Sequence, residues 1–181
     1  MSGAIRAHFI LSSNQPENLT WFLISSLIFC SVNQSSRNSN PIKLAVISTT
    51  AELEAAFKIR RLVFVDEQGF ELADEYDADD AKAVHILASV AGIPIGTARI
   101  IPDQNQVKVG RVAVLQEFRG RGFGLVIMQK CEKIAKERGF TQVTLHAQIQ
   151  VQAFYENAGY TVQGEIFDEC GWPHITMTKA L

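Results

Sequence analysis

The chain lacks most of the features that would place it in a common functional class. Its three cysteines, Cys30, Cys131 and Cys170, are odd in number, lie far apart and form no C-x-x-C pair. Neither a disulfide framework nor a zinc site is indicated, and all three read as reduced thiols of a cytoplasmic protein. There is no basic excess: 17 Lys and Arg stand against 19 Asp and Glu, for a formal charge of −2. That balance argues against a nucleic-acid or polyanion partner. No Asp-x-Asp-x-Asp-Gly pattern occurs, so no calcium loop and no metal is expected. The longest apolar run, Leu19 to Val32, is about fourteen residues, short of the roughly twenty that cross a bilayer. No internal repeat is present.

What the chain does have is apolar bulk: 47% of its 181 residues are hydrophobic, enough for one domain with a proper core. The Asn- and Ser-rich stretch 33–41 reads as a linker. It divides an extension, residues 1–40, from a domain at 41–181. The extension reads either as an added tail or translated upstream stretch, or as a targeting or membrane-surface segment. Arg6 is its only firm positive charge before the apolar run, Glu17 lies just before that run, and no clean small-x-small cleavage site follows. Membrane attachment is not expected.

From residue 41 the periodicities alternate. Ile42–Ile47 reads as a strand. Thr49 with Glu52 forms a capping-box pattern for a helix reaching Val65, with Leu53, Phe57 and Phe64 as its apolar stripe. Strands are predicted at Val84–Ala91, Ile95–Ile101 and Val107–Leu115, joined by short turns as an antiparallel meander. A helix follows at Gly120–Arg138, burying Ile127, Met128, Cys131, Ile134 and Ala135 and ending at Gly139. Then come a strand Gln142–Ala147, a short helix Val151–Ala158, and strands Tyr160–Ile166 and His174–Ala180. The fold class is mixed α/β.

Between a strand and an amphipathic helix lies Arg119-Gly120-Arg121-Gly122-Phe123-Gly124. Helix N-termini carry free N–H groups and a positive dipole end, so glycines here would let a phosphate approach closely, with Arg119 and Arg121 adding charge. A plain tight turn uses glycine too. Two nucleotide loops are excluded by spacing. A G-x-G-x-x-G fingerprint would need glycine where Leu125 or Ile127 stands, and no Gly-Lys-Ser/Thr ending is present. What fits is Arg-x-x-Gly-x-Gly, as Arg119, Gly122 and Gly124.

The run from Val109 through Gly124 resembles the acetyl-CoA motif of the GNAT superfamily of N-acetyltransferases, and Gln152–Tyr160 resembles that family's later motif. Arg61–Gln68 and Pro173–Met177 are similar to its small bacterial ElaA-like branch. The resemblance spans residues 42–181. It implies a GNAT-like acyl-CoA N-acyltransferase fold, a mostly antiparallel twisted sheet that splays where Val109–Leu115 and Gln142–Ala147 part. It implies an acetyl-CoA arm lying along Val112 and Val114, and its pyrophosphate on N–H groups from Arg119, Gly120, Arg121, Gly122, Phe123 and Gly124. It also implies Tyr155 as the acid that protonates the departing thiolate; the other reading of Tyr155 is a ring packed beside Phe154 and Tyr160. Many members carry asparagine where this chain has Gln150, which is long enough to reach the cofactor arm. Gln148 fits the ElaA-like pattern instead.

Transfer to an amine requires removing a proton from a group of pKa about 10.4, so a base is useful. The candidates are Glu67, His85, His146, Glu169 and His174; Glu67, after the first helix, ranks first and His146 next. Eight carboxylates fall among residues 66–80 with no Lys or Arg. They read either as a solvated loop or as a rim attracting a cationic amine. The functional expectation is an acetyl-CoA-dependent N-acetyltransferase, alone or as a homodimer. The alternative is a CoA-binding sensor or interaction domain without turnover.

Overall fold

The computed structural model describes residues 41–181; the expectations for residues 1–40, including Cys30 and the apolar run, lie outside the described residues. The predicted elements are observed in order, with one short helix added in the polar stretch. Strand β1 (Ile42–Val46) leads to helix α1 (Thr50–Arg60), then a short helix α2 (Leu72–Glu75). Strands β2 (Val84–Val90), β3 (Ile93–Asp103) and β4 (Gln106–Val114) follow, then helix α3 (Phe123–Glu137) and strand β5 (Gln142–Gln148). A short helix α4 (Gln152–Asn157) precedes β6 (Thr161–Glu169) and β7 (Trp172–Ala180). One seven-stranded sheet runs in the order β1-β2-β3-β4-β5-β7-β6. Every neighbouring pair is antiparallel except β4 and β5.

The capping box at α1 is complete. The Thr49 hydroxyl accepts from the Glu52 N–H at 3.2 Å, and the Glu52 carboxylate accepts from the Thr49 N–H at 3.1 Å. The helix does not continue regularly to Val65. From Arg61 to Glu67 it widens into π-helical turns, an uncommon form associated with functional sites. Gly69, left-handed at φ +78°, closes it. Helix α3 starts at Phe123 rather than Gly120 because Gly120 and Gly122 are left-handed, at φ +73° and +79°, and a right-handed helix cannot contain them. It buries the five residues its spacing predicts.

Apolar residues pack on both faces of the sheet. On one, α3 and Tyr155 of α4 join Val107, Val109, Val143, Leu145 and Ala147 in the main core. On the other, Ala56, Ile59 and Val63 pack against Leu87 and Ala113. The alternation of β5 therefore sends Thr144, His146 and Gln148 toward the α1 side. Gly96 lets β3 pass under α3: a Cβ there would lie 2.9 Å from both the Ala113 carbonyl and Ile127 Cδ1.

Candidate active site

The site is made by two strands that begin together and then part. Parallel β4 and β5 pair only at Gln106–Gln142, Val107–Val143 and Lys108–Thr144. From Val109 onward that edge of β4 has no strand beside it, so its backbone groups face a gap. A bulge adds to the divergence. Thr97 pairs with Ala113 but Arg99 pairs with Gly110, leaving Arg111 and Val112 opposite Ala98 alone, with Arg111 left-handed at φ +52°. A bulge bends its strand and increases the twist.

A cavity of about 380 Å³ fills the gap. Its wall includes Val109, Gly110 and Val112 of β4, His146 and Gln148 of β5, Gln150 and Val151 of the turn after it, and Tyr155 of α4. It is lined as well by Phe64, Gln68 and Phe70, by Asp74, Glu75, Asp77 and Asp79 of the acidic stretch, by Arg99, Lys108 and Arg111, and by Glu169, Cys170 and His174 of the last hairpin.

Beyond the end of β4, the glycine loop leads into α3. No side chain caps that helix, and its first regular bond runs from Val126 N–H to the Gly122 carbonyl. The N–H groups of its opening turn are therefore available to an anion. Gly124 lies against the short helix: a Cβ there would come within 3.3 Å of the Phe154 ring. Neither arginine is poised as a free phosphate ligand. Arg119 donates through Nε to the Val114 carbonyl at 2.9 Å, and its two terminal nitrogens fork onto the Glu67 carboxylate at 2.6 and 2.7 Å. Arg121 donates to the Glu117 carbonyl at 2.9 Å and lies over the Phe118 ring. Both guanidiniums shape the loop while leaving their charge beside it. An open strand edge and an uncapped, glycine-opened helix start fit an extended, anionic CoA-type ligand.

The base candidates separate. Glu67 is outside the cavity wall and lines a different surface hollow with Leu62 and Leu115. The hydrogen bonds from Arg119 hold its carboxyl below the ordinary value. With both oxygens occupied and its proton affinity reduced, Glu67 is poorly suited to the base role ranked first for it. His85 is also outside the wall; its Nε2 meets the Asp80 carbonyl at 2.9 Å. His174 lines the cavity with Nδ1 on the Trp172 carbonyl at 2.9 Å. His146 is placed best. Its Nδ1 lies 2.8 Å from Glu169 Oε2, and that contact holds the Glu169 carboxyl below its ordinary range. Lys108 Nζ is also within 3.3 Å of Nδ1. A carboxylate needs the proton on Nδ1, whereas lysine needs a lone pair there, so the shorter contact selects the Nδ1–H form and frees Nε2.

Tyr155 is buried, edge-on to Phe154 and Tyr160, and also in the cavity wall. Burial, with the nearby Cys131 thiol, pushes its hydroxyl above the ordinary phenol value. It is a neutral donor throughout the physiological range.

The acidic stretch is mostly spent on ion pairs that composition alone did not reveal. Arg60, fully buried, binds Glu75 and, at 2.6 Å, Asp80. Arg99 binds Asp77 at 2.7 Å and Asp80 at 2.8 Å. Arg111, turned by the bulge, reaches Asp77 at 3.2 Å, Glu75 at 3.3 Å and the Asp74 carbonyl at 2.8 Å. Burial opposes ionisation of Asp80, but its hydrogen bonds from Arg60 and Arg99 prevail and hold it at about 2. Burial prevails at Glu75 and pushes it up.

A sheet whose two central parallel strands part over a cavity, beside an uncapped glycine turn, defines the acyl-CoA N-acyltransferase class of fold. Residues 63–181 match the acetyltransferase (GNAT) domain family, and the chain belongs to that family. YyaT of Bacillus subtilis, an uncharacterized protein, is 39% identical over 138 residues, 75% of this chain and 93% of that one. Among solved structures, Escherichia coli ElaA is 30% identical with a TM-score of 0.67, covering 77% of this chain and 98% of its own. An acyl-CoA N-acyltransferase from Pseudomonas aeruginosa is 29% identical with a TM-score of 0.68, covering 77% and 99%. Among the described residues, no helix is long and apolar enough to cross a membrane and no cluster of His, Cys, Asp or Glu is arranged to hold a metal.

Proposed function

We propose that the protein transfers the acetyl group of acetyl-CoA directly to a primary amine bound at the far end of the same cavity. The observation that carries this reading is the parting of β4 and β5 after Lys108 and Thr144, with His146, Glu169 and Tyr155 around the resulting space. Likeness to an N-acyltransferase supports the acyl-CoA donor. The open edge around Val112 and Val114 would take the pantetheine arm, and Gln150 would reach it from the turn after β5. The N–H groups of Arg119 through Gly124 would take the pyrophosphate.

Glu169 fixes the His146 ring through Nδ1, and Nε2 removes a proton from the acceptor ammonium. The freed amine attacks the thioester carbonyl, forming the C–N bond. As the C–S bond breaks, Tyr155 gives its proton to the departing sulfur and is reprotonated by the second proton that the attacking nitrogen sheds on becoming the amide. The unperturbed phenol and thiol values, about 10 and 8.5, make this transfer uphill on their own. A desolvated site raises thiols too, as buried Cys131 illustrates, pushed up to about 12 chiefly by burial. The products are an amide, free CoA thiol and one released proton.

Calorimetric titration with acetyl-CoA, beside an Arg119→Ala, Gly122→Ala variant, tests the donor site. A thiol-release assay with a panel of amines tests transfer. Saturable binding weakened about tenfold or more in the variant, with amine-dependent thiol release, supports the reading. A folded protein that binds no acetyl-CoA refutes it. Binding without release from any amine leaves a CoA sensor in its place.

A further inference from the structure

Building on the transferase reading, we infer that the acceptor is a small monoamine with an aromatic or branched apolar body, not a polyamine or a lysine-rich peptide. The sequence has eight carboxylates at 66–80, which would suit a polycation if they were free. Six are in ion pairs: Asp66 with Arg61, Glu67 with Arg119, Asp79 with Lys82, and Glu75, Asp77 and Asp80 with Arg60, Arg99 and Arg111. The last three arginines balance their three carboxylates charge for charge. Their strong mutual commitment means a cationic substrate would have to displace guanidiniums, two of them buried. Of the remaining two carboxylates, Glu71 does not line the cavity; Asp74 does. Glu169 is engaged with His146. Asp79 also lines the cavity but is paired with Lys82 at 2.7 Å; among the described residues, one cavity carboxylate without a charge partner suits one ammonium.

The same wall carries two aromatic rings from residues shortly before Asp74 in the chain. Phe64 and Phe70 both line the cavity and meet edge to face at 6.3 Å. Phe70 is in turn stacked on Trp172 of β7, centroids 5.5 Å apart and planes 25° apart, which fixes its ring across from the last hairpin. Rings held this way offer an apolar surface of defined orientation. A polyamine or an extended lysine side chain would bring further charged groups into a space of about 380 Å³ that must also receive the acetyl end of the donor. There they would meet the rings, the cations Arg99, Lys108 and Arg111, and carboxylates already paired with arginine, lysine or histidine, and a charge buried without a partner is strongly disfavoured.

The test measures kcat/KM for 2-phenylethylamine, 3-methylbutylamine, spermidine, glucosamine and a tetralysine peptide at saturating acetyl-CoA. It uses the wild type, Phe70→Leu, Phe70→Ala and Asp74→Asn, with calorimetric acetyl-CoA binding measured on each preparation. The wild type is expected to favour the two apolar monoamines over spermidine by tenfold or more. Phe70→Leu should raise KM for 2-phenylethylamine several-fold and Phe70→Ala tenfold or more, with acetyl-CoA affinity unchanged. Asp74→Asn should raise KM for every monoamine. Retained acetyl-CoA affinity certifies that each variant is folded. Preference for spermidine, glucosamine or the peptide overturns this inference alone, as does a Phe70 effect equal across all acceptors. Absence of acetyl-CoA binding, or binding without transfer to any amine, overturns the transferase reading and this inference with it.

Discussion

Replacing Glu67 by glutamine separates two roles that the sequence alone leaves superimposed. If Glu67 were the general base, its loss would lower kcat by about 10²- to 10⁴-fold. The geometry assigns it instead to holding the loop: it receives both terminal nitrogens of Arg119, whose Nε is bonded to the Val114 carbonyl. The pair is 39% and 36% exposed, so solvent screens it, and exposed ion pairs contribute about 0–1 kcal/mol. The two-pronged geometry places it near the upper end, about 1 kcal/mol, which corresponds to roughly fivefold in an equilibrium constant. Glu67→Gln should therefore raise KM for acetyl-CoA by no more than about fivefold, leave kcat within about twofold, and leave the shape of the pH–rate profile unchanged. Arg119→Lys, which keeps charge but loses the fork, should match it, and the double variant should be little worse than either single one, since both remove the same interaction. Initial rates over a grid of acetyl-CoA and amine concentrations read all three. A hundredfold fall in kcat with loss of one limb of the pH profile would refute the assignment and restore Glu67 as the base.

Tyr155→Phe should lower kcat tenfold or more while sparing acetyl-CoA binding in calorimetry; equal rates would reduce Tyr155 to a packing ring. His146→Gln should lower kcat/KM by about 10²-fold or more, and Glu169→Gln by a smaller factor through loss of ring orientation; an unaffected His146→Gln enzyme would exclude that base. Gly122→Ala places a side chain at φ +79°, costing about 1 kcal/mol of strain, and should weaken acetyl-CoA binding measured by calorimetry beyond any change in unfolding midpoint. Asp80 is held at about 2 against an ordinary 3.8. Its stabilisation, about 2 kcal/mol, is thus complete above pH 4 and lost as pH falls toward 2. Glu75, pushed up by burial, acts in the opposite sense, so it does not add to this acid loss. Urea midpoints at pH 7, 4 and 2.5 should fall for the wild type below pH 4 and change less for Asp80→Asn; parallel curves would refute the role of Asp80.

Short-range rules made the fold readable. The Thr49–Glu52 pair starts α1 where the pattern places it, and the spacing of Ile127, Met128, Cys131, Ile134 and Ala135 identifies the buried face of α3. Boundaries moved where one residue's backbone overrode the pattern. Two left-handed glycines delay α3 to Phe123, and the polar stretch 66–80 contains α2 and a 3-10 turn at Ala78–Ala81 that no periodicity marks. The π-helical turns at Arg61–Glu67 were equally hidden, because a seven-residue segment cannot distinguish a period of 3.6 from a slightly wider one.

The candidate site divides along the same line. The donor side depends on backbone: glycines, a helix start and a strand edge, all contiguous in the chain and therefore visible as a motif. The acceptor side depends on pairs separated by 15 to 80 residues, such as Arg60 with Glu75 and Gln148 with Gln68. A run of carboxylates with no lysine or arginine inside it looks unpaired when the counter-ions of Glu75, Asp77 and Asp80 come from α1, β3 and β4. Arg111 is the sharpest case. Its guanidinium reaches Asp77 and the Asp74 carbonyl because a bulge turns a strand residue to positive φ, and nothing in Val-Gly-Arg-Val-Ala announces a bulge. The same bulge helps part β4 from β5. The bulge that helps to open the gap thus also pairs part of the acidic stretch, so charge that seemed to advertise a cationic acceptor instead fastens Glu75 and Asp77 to the sheet.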